Sequence, residues 1–462
     1  MDLTAGDLKR IKGVKVLNES RLTREGFKKV TIDSRKCSKG DLFFAVKGER
    51  FDGHDFVELA FKKGISCAVV SKGWYKSLSE NKKCSFKNFS FALVNNTLEA
   101  LGELANIYRK KFIIPVIAIG GSNGKTSTKD YMAHVLAEKY NVLKTEGNYN
   151  NAYGVPLTLF RLNKRHEIAV IEVGTNHFGE VKYLCSIAEP QIGLITNIGK
   201  EHLEFLRDIK GAARAECELL EYLDENFGMF FLNSDDEQLV KHEHKYLVNT
   251  FSYGTKAKVD VKAKLLKFEG FNAITEINFV KTKIRTKLKE IGNQSFNSAL
   301  AAAAVGFYFE VSAKKIRKAI SEYKIESGKR NQLKEKNDVS IIDDSYNSNP
   351  DSVKAALENM KAYKIKGKKY LVLADMLELG KTSRKEHTNI GKLVKAMYFE
   401  NLYTYGKDSY YMHIAAKGVK NNFHFEDKHV LAKMLKLNIR KGDLILIKGS
   451  RAMKMEDVIA EL

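Results

Sequence analysis

The sequence predicts an α/β chain of three domains: a small α/β N-terminal domain, a central parallel-sheet domain built on a phosphate-binding loop (P-loop) with an antiparallel appendage, and a C-terminal Rossmann-like domain. Three observations predict it. Strands that are apolar throughout, such as Ile168–Val173 and Ile192–Ile198, alternate with helical patterns, as in a parallel sheet covered on both faces. A glycine-rich run, residues 120–127, joins one such strand to a helix, and a fresh βα series starts at Val339. A length of 462 residues suits two to four domains. Boundaries are expected at 1–93, 94–323 and 324–462.

In the first domain short strands are expected at Lys29–Ile32, Asp41–Val46, Cys67–Val70 and Phe91–Val94, with a helix over His54–Lys63. A helical segment, Leu98–Lys110, leads into the apolar strand Val116–Ile119 and the glycine-rich run, which opens a helix reaching about Tyr140. Between Lys256 and Glu290 the pattern alternates with period two, as in Val259-Asp260-Val261-Lys262-Ala263, and predicts an antiparallel meander. The alanine-rich segment Ala299–Phe307 returns to helix. The third domain has strands at Val339–Ile342, Tyr370–Ala374, Leu402–Tyr405 and Leu444–Ile447. Its first strand lacks GxGxxG, so no dinucleotide site is indicated.

The net charge of +22 raises a nucleic-acid reading, but the excess is mainly lysine spread from Lys9 to Lys454. The densest stretch, Lys361–Lys369, lacks the interleaved aromatics of a stacking platform. A solvated lysine surface that attracts acidic small substrates is the simpler account, and no nucleic-acid partner is expected. Five cysteines without a CxxC pair read as reduced thiols. The N-terminus lacks signal-peptide order and no apolar run nears the ~20 residues of a membrane span, so a cytoplasmic protein is expected.

The run Gly120-Gly121-Ser122-Asn123-Gly124-Lys125-Thr126-Ser127 carries the clearest chemistry. Backbone N–H groups from Gly121 to Ser127 at a helix start cradle phosphate, Lys125 adds a point charge, and the Thr126 hydroxyl can hold Mg²⁺. Ile119 stands where the standard motif has its first glycine, which makes this a shortened G-x-x-G-K-T loop and the domain a P-loop ATPase domain binding ATP. Two further strands end in Glu172-Val173-Gly174-Thr175-Asn176-His177 and Thr196-Asn197-Ile198-Gly199-Lys200-Glu201-His202. Sharing the carboxyl edge with the loop makes Glu172 and His202 candidate Mg²⁺ ligands. The amide-rich stretch 147–156, with Asn150 and Asn151, is either a plain loop or a polar-substrate contact. In the third domain Asp344 can bond a ribose, while Asn347 and Asn349 can bind substrate or cap a helix. Lys448 and Arg451 present donors after the last strand, and Arg330 stands before the domain as a hinge-region phosphate contact.

Together these segments resemble the ATP-dependent Mur ligases of peptidoglycan synthesis, over nearly the whole chain. The resemblance rests on Asp33-Ser34-Arg35 and the Gly40–His54 stretch, on GSNGKT, GNYNNAYGVPLTL, IEVGTNHFGE and TNIGKEHLE, and on DDSYNSNPDS, LADMLELG and KGSR. It implies that Ser34, Arg35, Lys47 and Gly48 hold the UDP-sugar end. Lys125 and Thr126 would contact ATP phosphates and Mg²⁺, Glu172 and His202 would bind Mg²⁺, and Asn150 and Asn151 would face the acceptor. Arg330 and Asp344 would approach the nucleotide, and Asn347, Asn349, Lys448 and Arg451 would close the dipeptide and phosphate side. DDSYNSNP, DMLELG and KGSR point to the branch whose partners are UDP-N-acetylmuramoyl-tripeptide and D-alanyl-D-alanine, as a monomer.

Two positions depart from the family. Glu216 aligns with a lysine that these ligases commonly carry carbamylated, and a glutamate carboxylate there is expected to support a second Mg²⁺. Ser295 and Ser298 stand near positions where the family usually has asparagines approaching adenine; either Asn297 compensates or the alignment shifts register there. The implied reaction passes through an acyl phosphate, with Lys125, Glu172, His202 and Arg330 at the reacting groups. Its rivals are another Mur-type ligase with a different amino acid, a folylpolyglutamate synthase-like enzyme, or a basic nucleic-acid-associated ATPase.

Overall fold

The structure is a computed structural model and describes all residues except 23–24, 49–50, 257 and 325–331. Three sheets organise it. The first contains β1 (Lys15–Leu17), β2 (Val30–Thr31), β3 (Leu42–Phe44), β4 (Cys67–Ser71) and β5 (Phe91–Val94), in the order β1-β5-β4-β3-β2, parallel except for β1. Leu3, Leu8, Leu42 and Val69 pack into the same apolar cluster as Leu101, Leu104 and Val116. The helix Thr97–Arg109, capped by Asn96, therefore joins the first domain to the second through one continuous core.

The central sheet has nine strands: β6 (Val116–Gly120), β7 (Val142–Lys144), β8 (Ile168–Glu172), β9 (Ile192–Ile195), β10 (Met229–Asn233), β11 (Asn249–Gly254), β12 (Val261–Glu269), β13 (Asn272–Asn278) and β14 (Lys283–Ile291). Their order is β14-β13-β12-β11-β10-β9-β6-β8-β7. The antiparallel meander is thus the continuation of the parallel sheet, joined through β11 and β12, not a separate layer. Its inner face is covered by the helix Gly292–Tyr308, whose run of buried alanines allows close approach to the helix Lys125–Leu136. That second helix ends at Leu136, short of the expected Tyr140, and residues 137–139 form turns. β9 stops at Ile195 because Thr196 and Asn197 turn their side chains onto the Asn123 carbonyl.

The third sheet holds β15 (Gln332–Lys336), β16 (Val339–Asp344), β17 (Lys369–Ala374), β18 (Asn401–Tyr405), β19 (Asn421–Phe425) and β20 (Leu444–Lys448), in the order β15-β16-β20-β17-β18-β19, with only β15 antiparallel. β16, β17 and β20 carry adjoining C-terminal ends that face the central domain. Lys200 Nζ bonds both Glu386 oxygens at 2.9 and 3.0 Å, and Phe268 and Phe271 meet Tyr363 edge-on across the same boundary. All five cysteines are free thiols, four of them buried. Among the described residues no helix is long and apolar enough to cross a membrane.

Candidate active site

The loop after β6 is shaped by backbone that only glycine takes without strain. Gly121 has φ +114°, and a Cβ there would stand 2.2 Å from Thr196 Oγ1; Gly124 has φ +83° and begins the helix Lys125–Leu136. The first N–H groups of that helix lack intrahelical partners and point at the cleft, the arrangement that holds an anion. Ser122 and Asn123 are fixed by Gly199, Asn197 and Thr196, so the loop is pinned to the end of β9.

Lys125 is the loop's cation. Its Nζ donates to the Gly121 carbonyl and lies 3.7 Å from Glu201 and 3.9 Å from Glu216. Glu216 is fully buried and its Oε2 accepts the Gly121 N–H at 2.6 Å. Burial pushes the Glu216 carboxyl up to about 8; Lys125 opposes the rise and Glu201 adds to it. Two carboxyl groups thus face each other beneath the loop, and among the described residues neither Glu201 Oε1 nor Glu216 Oε1 has a hydrogen-bond donor. Glu201 stands in the TNIGKEHLE segment just before His202, but its place beneath the loop follows only from the turn after β9.

On the other side of the loop Thr126 Oγ1 lies 3.1 Å from Glu172 Oε1, which also accepts from Asn150 Nδ2 at 2.9 Å. Lys129, fully buried, sits one helical turn beyond Lys125, with Nζ 3.3 Å from Glu172 Oε2 and 2.8 Å from the Gly147 carbonyl. Burial pulls the Lys129 ammonium below its ordinary value, and Glu172 and Asp130 partly restore it. Lys129 was readable in principle, since it stands four residues after Lys125 on the same helix face. Thr126 with Glu172, and Glu201 with Glu216, are hard oxygen sets that fit Mg²⁺. Among the described residues no three His, Cys, Asp or Glu side chains gather into one metal-holding group.

His202 departs from the expected arrangement. Its Nδ1 lies 2.6 Å from Glu378 of the C-terminal domain, and that bond holds the Glu378 carboxyl below its ordinary value. Coordination of a cation by this ring requires the pair to open. Asn349 is likewise committed: it caps the helix Pro350–Ala362 and donates to Asn123 Oδ1 at 2.9 Å. Asn151 accepts the Gly154 N–H.

A cavity of about 340 Å³ opens between the domains beside the loop. Asn123, Gly124 and Ser127 meet Asn297 from one side and Asp344, Asn347 and Lys448 from the other. Lys448 Nζ donates to Asp344 Oδ2 at 2.6 Å and to the Asn347 carbonyl at 2.9 Å. Gln294 and Ser295 also line this cavity, the Ser295 hydroxyl donating to the Glu290 and Gly292 carbonyls, while Ser298 accepts from the Thr128 hydroxyl. A second cavity of about 320 Å³ shares Asn347 and is lined by Glu201, His202, Asn349 and Arg451. Arg330 lies outside the described residues. Ser34 is buried after β2, Arg35 pairs with Asp33 at the surface, and Lys47 bridges to Asp52 beside Gly48, all within the first domain.

Comparison with known proteins places all three domains in one family. The Mur ligase middle domain matches residues 119–306, the Mur ligase glutamate ligase domain 329–451, and the Mur ligase family catalytic domain 27–109. The UDP-N-acetylmuramoyl-tripeptide–D-alanyl-D-alanine ligase of Bacillus subtilis is 35% identical over 439 residues, covering 94% of this chain and 92% of its own. The Escherichia coli enzyme of the same name is 33% identical, covering 94% and 93%. A crystal structure of MurF from Acinetobacter baumannii has a TM-score of 0.88 at 27% identity, covering 100% of this chain and 98% of its own. MurF ligase from Thermotoga maritima in complex with ADP has a TM-score of 0.82 at 27% identity, covering 94% and 96%.

Proposed function

The chain belongs to the Mur ligase family, and we propose that it joins D-alanyl-D-alanine to UDP-N-acetylmuramoyl-tripeptide in the cleft between its second and third domains. It is an ATP-dependent ligase of peptidoglycan precursor synthesis. The observation that carries the residue assignments is the juxtaposition at one cleft of the phosphate loop, Glu172, and the C-terminal trio Asp344, Asn347 and Lys448.

A carboxylate and an amine do not condense in water until the carboxylate oxygen is made a leaving group. The tripeptide carboxylate takes the γ-phosphoryl group of ATP, with ADP departing. The dipeptide amine then attacks the acyl carbon, and the C–O bond to phosphate breaks. This chemistry needs positioning and charge neutralisation more than a protein nucleophile. The Gly121, Ser122 and Asn123 N–H groups are held by Glu216 and Asn197, which corrects the expectation that they cradle phosphate. The N–H groups of Gly124 to Ser127 at the helix start orient the phosphates, and Lys125 exchanges the Gly121 carbonyl for a phosphate oxygen. Asp344 and Asn297 hold the nucleoside side. Asn150 steadies Glu172 toward the acceptor, and Asn347, Asn349, Lys448 and Arg451 close the phosphate and dipeptide side. Ser34, Arg35, Lys47 and Gly48 would retain the UDP-sugar end.

Mg²⁺ bound by Thr126 and Glu172, with His202 joining once released from Glu378, would neutralise phosphate charge. Glu216, with Glu201, would hold a second ion. The test is phosphate release with ATP, each of the two UDP-tripeptides (diaminopimelate or lysine at the third position) and D-alanyl-D-alanine, with the product weighed by mass spectrometry. Release only with both acceptor and dipeptide is expected. Release stimulated by nucleic acid, or a product carrying a different amino acid, would overturn the reading.

A further inference from the structure

The outer face of the antiparallel meander is a cation grid. Cross-strand register places Lys262, Asn278 and Lys283 in one row, Lys264, Glu276 and Arg285 in the next, and Lys267, Ile274 and Lys287 in the third. All six cations are exposed, while the alternate residues of β14, from Ile284 to Leu288, are buried against the helices. Two acids, Glu269 and Glu276, share the face and pair with Lys267, Lys283 and Lys287. The two cations of a row stand about 10 Å apart, and successive rows about 7 Å apart. Those spacings fall within a Debye length at 0.1 M salt, so the face carries net self-repulsion. Protection of a sheet edge calls for charge on β14, the last strand, but not for matching cations on the same face of β12.

We infer that this face docks the protein onto an anionic phospholipid surface. The grid is open, and the residues between its cations (Asn278, Glu276 and Ile274) include no aromatic to stack a base. At the β13–β14 turn Val280 is 76% exposed beside Lys281 and Lys283, an apolar tip within a basic rim. Arg317 of the helix Ala313–Glu322 extends the positive surface round the edge of β14, where it lines a groove of about 540 Å³ with Arg285 and Lys287. Anionic headgroups supply the missing negative charge on a surface wide enough to meet all three rows at once.

The test is co-sedimentation of the full chain with vesicles of phosphatidylglycerol and phosphatidylcholine, and of phosphatidylcholine alone, at 0.1 M salt. Binding only to the anionic vesicles is expected. The triple variant Lys264→Gln/Arg285→Gln/Lys287→Gln should bind about a hundredfold more weakly, about fivefold per cation, with ligase activity unchanged and no loss of melting temperature. A control with three exposed lysines changed elsewhere, Lys417→Gln/Lys433→Gln/Lys436→Gln, should bind like the parent. Absence of binding by the parent, equal loss in both triple variants, or displacement from vesicles by single-stranded RNA would overturn the inference.

Discussion

Removing Lys129 should unmask a buried charge. Its Nζ lies 3.3 Å from Glu172, and both side chains are almost wholly buried. In Lys129→Met, of similar size, Glu172 keeps only Thr126 Oγ1 and Asn150 Nδ2 as side-chain donors to its carboxylate. Breaking a buried pair from one side costs about 3–5 kcal/mol, because the surviving charge stays desolvated. For a domain of this size that is about 6–20 °C in melting temperature. Glu172→Gln should cost less, since burial already disposes Lys129 to release its proton. The double variant Lys129→Met/Glu172→Gln carries no orphaned charge and should recover about 2 kcal/mol or more relative to the sum of the singles. The assay is calorimetric unfolding of the four proteins without nucleotide or Mg²⁺. A double variant whose loss equals the sum of the singles would refute the reasoning, because the pair would then be uncoupled.

Three other outcomes follow from the same contacts. Glu216 titrates near 4.5 in the unfolded chain and at about 8 in the folded one, so between these values the folded state holds a proton that the unfolded state lacks. Its contribution therefore weakens as pH rises through that window, and Glu216→Gln should flatten the fall in melting temperature; equal slopes for parent and variant would count against it. Gly121→Ala forces a left-handed backbone and a contact of 2.2 Å with Thr196, so ATP affinity by titration calorimetry should drop roughly tenfold or more. Unchanged affinity would mean the loop moves freely. Glu386→Gln loosens the pair with Lys200 across the domain boundary, and small-angle scattering of the nucleotide-free protein should report a larger radius of gyration than the parent's.

What the sequence made legible was local. Apolar strands and glycine-rich turns are set by neighbouring residues, so β5 was foreseen at its observed limits and β6 within one residue. The strands β1, β7, β10, β11, β15 and β19 were missed; β1 and β7 are only three residues long, too short to show an alternation. The site divided the same way. The loop, Glu172, Asp344 and Lys448 announce themselves by motif; Glu201 and Glu378 also stand in motif segments, but the place of Glu201 beneath the loop depends on the turn after β9, and that of Glu378 against His202 on how two domains meet. No spacing within one segment encodes that. His202 is instructive: the motif marks it as a ligand, yet a carboxylate from the other domain lies against its Nδ1 at 2.6 Å.

The shortened loop also acquires a physical reason. Ile119, where the standard motif has glycine, is fully buried and registered between Glu172 of β8 and Leu194 of β9. A glycine at that central position would weaken the ladder and leave a void. Keeping Ile119 in the strand makes Glu172 the lateral neighbour of the last residue before Gly120, so the turn that follows delivers Thr126 to within 3.1 Å of it. A loop beginning one residue earlier would take Ile119 out of register with Glu172. With Ile119 in register beside Glu172, the hydroxyl of the loop and the carboxylate of the next strand meet at one point.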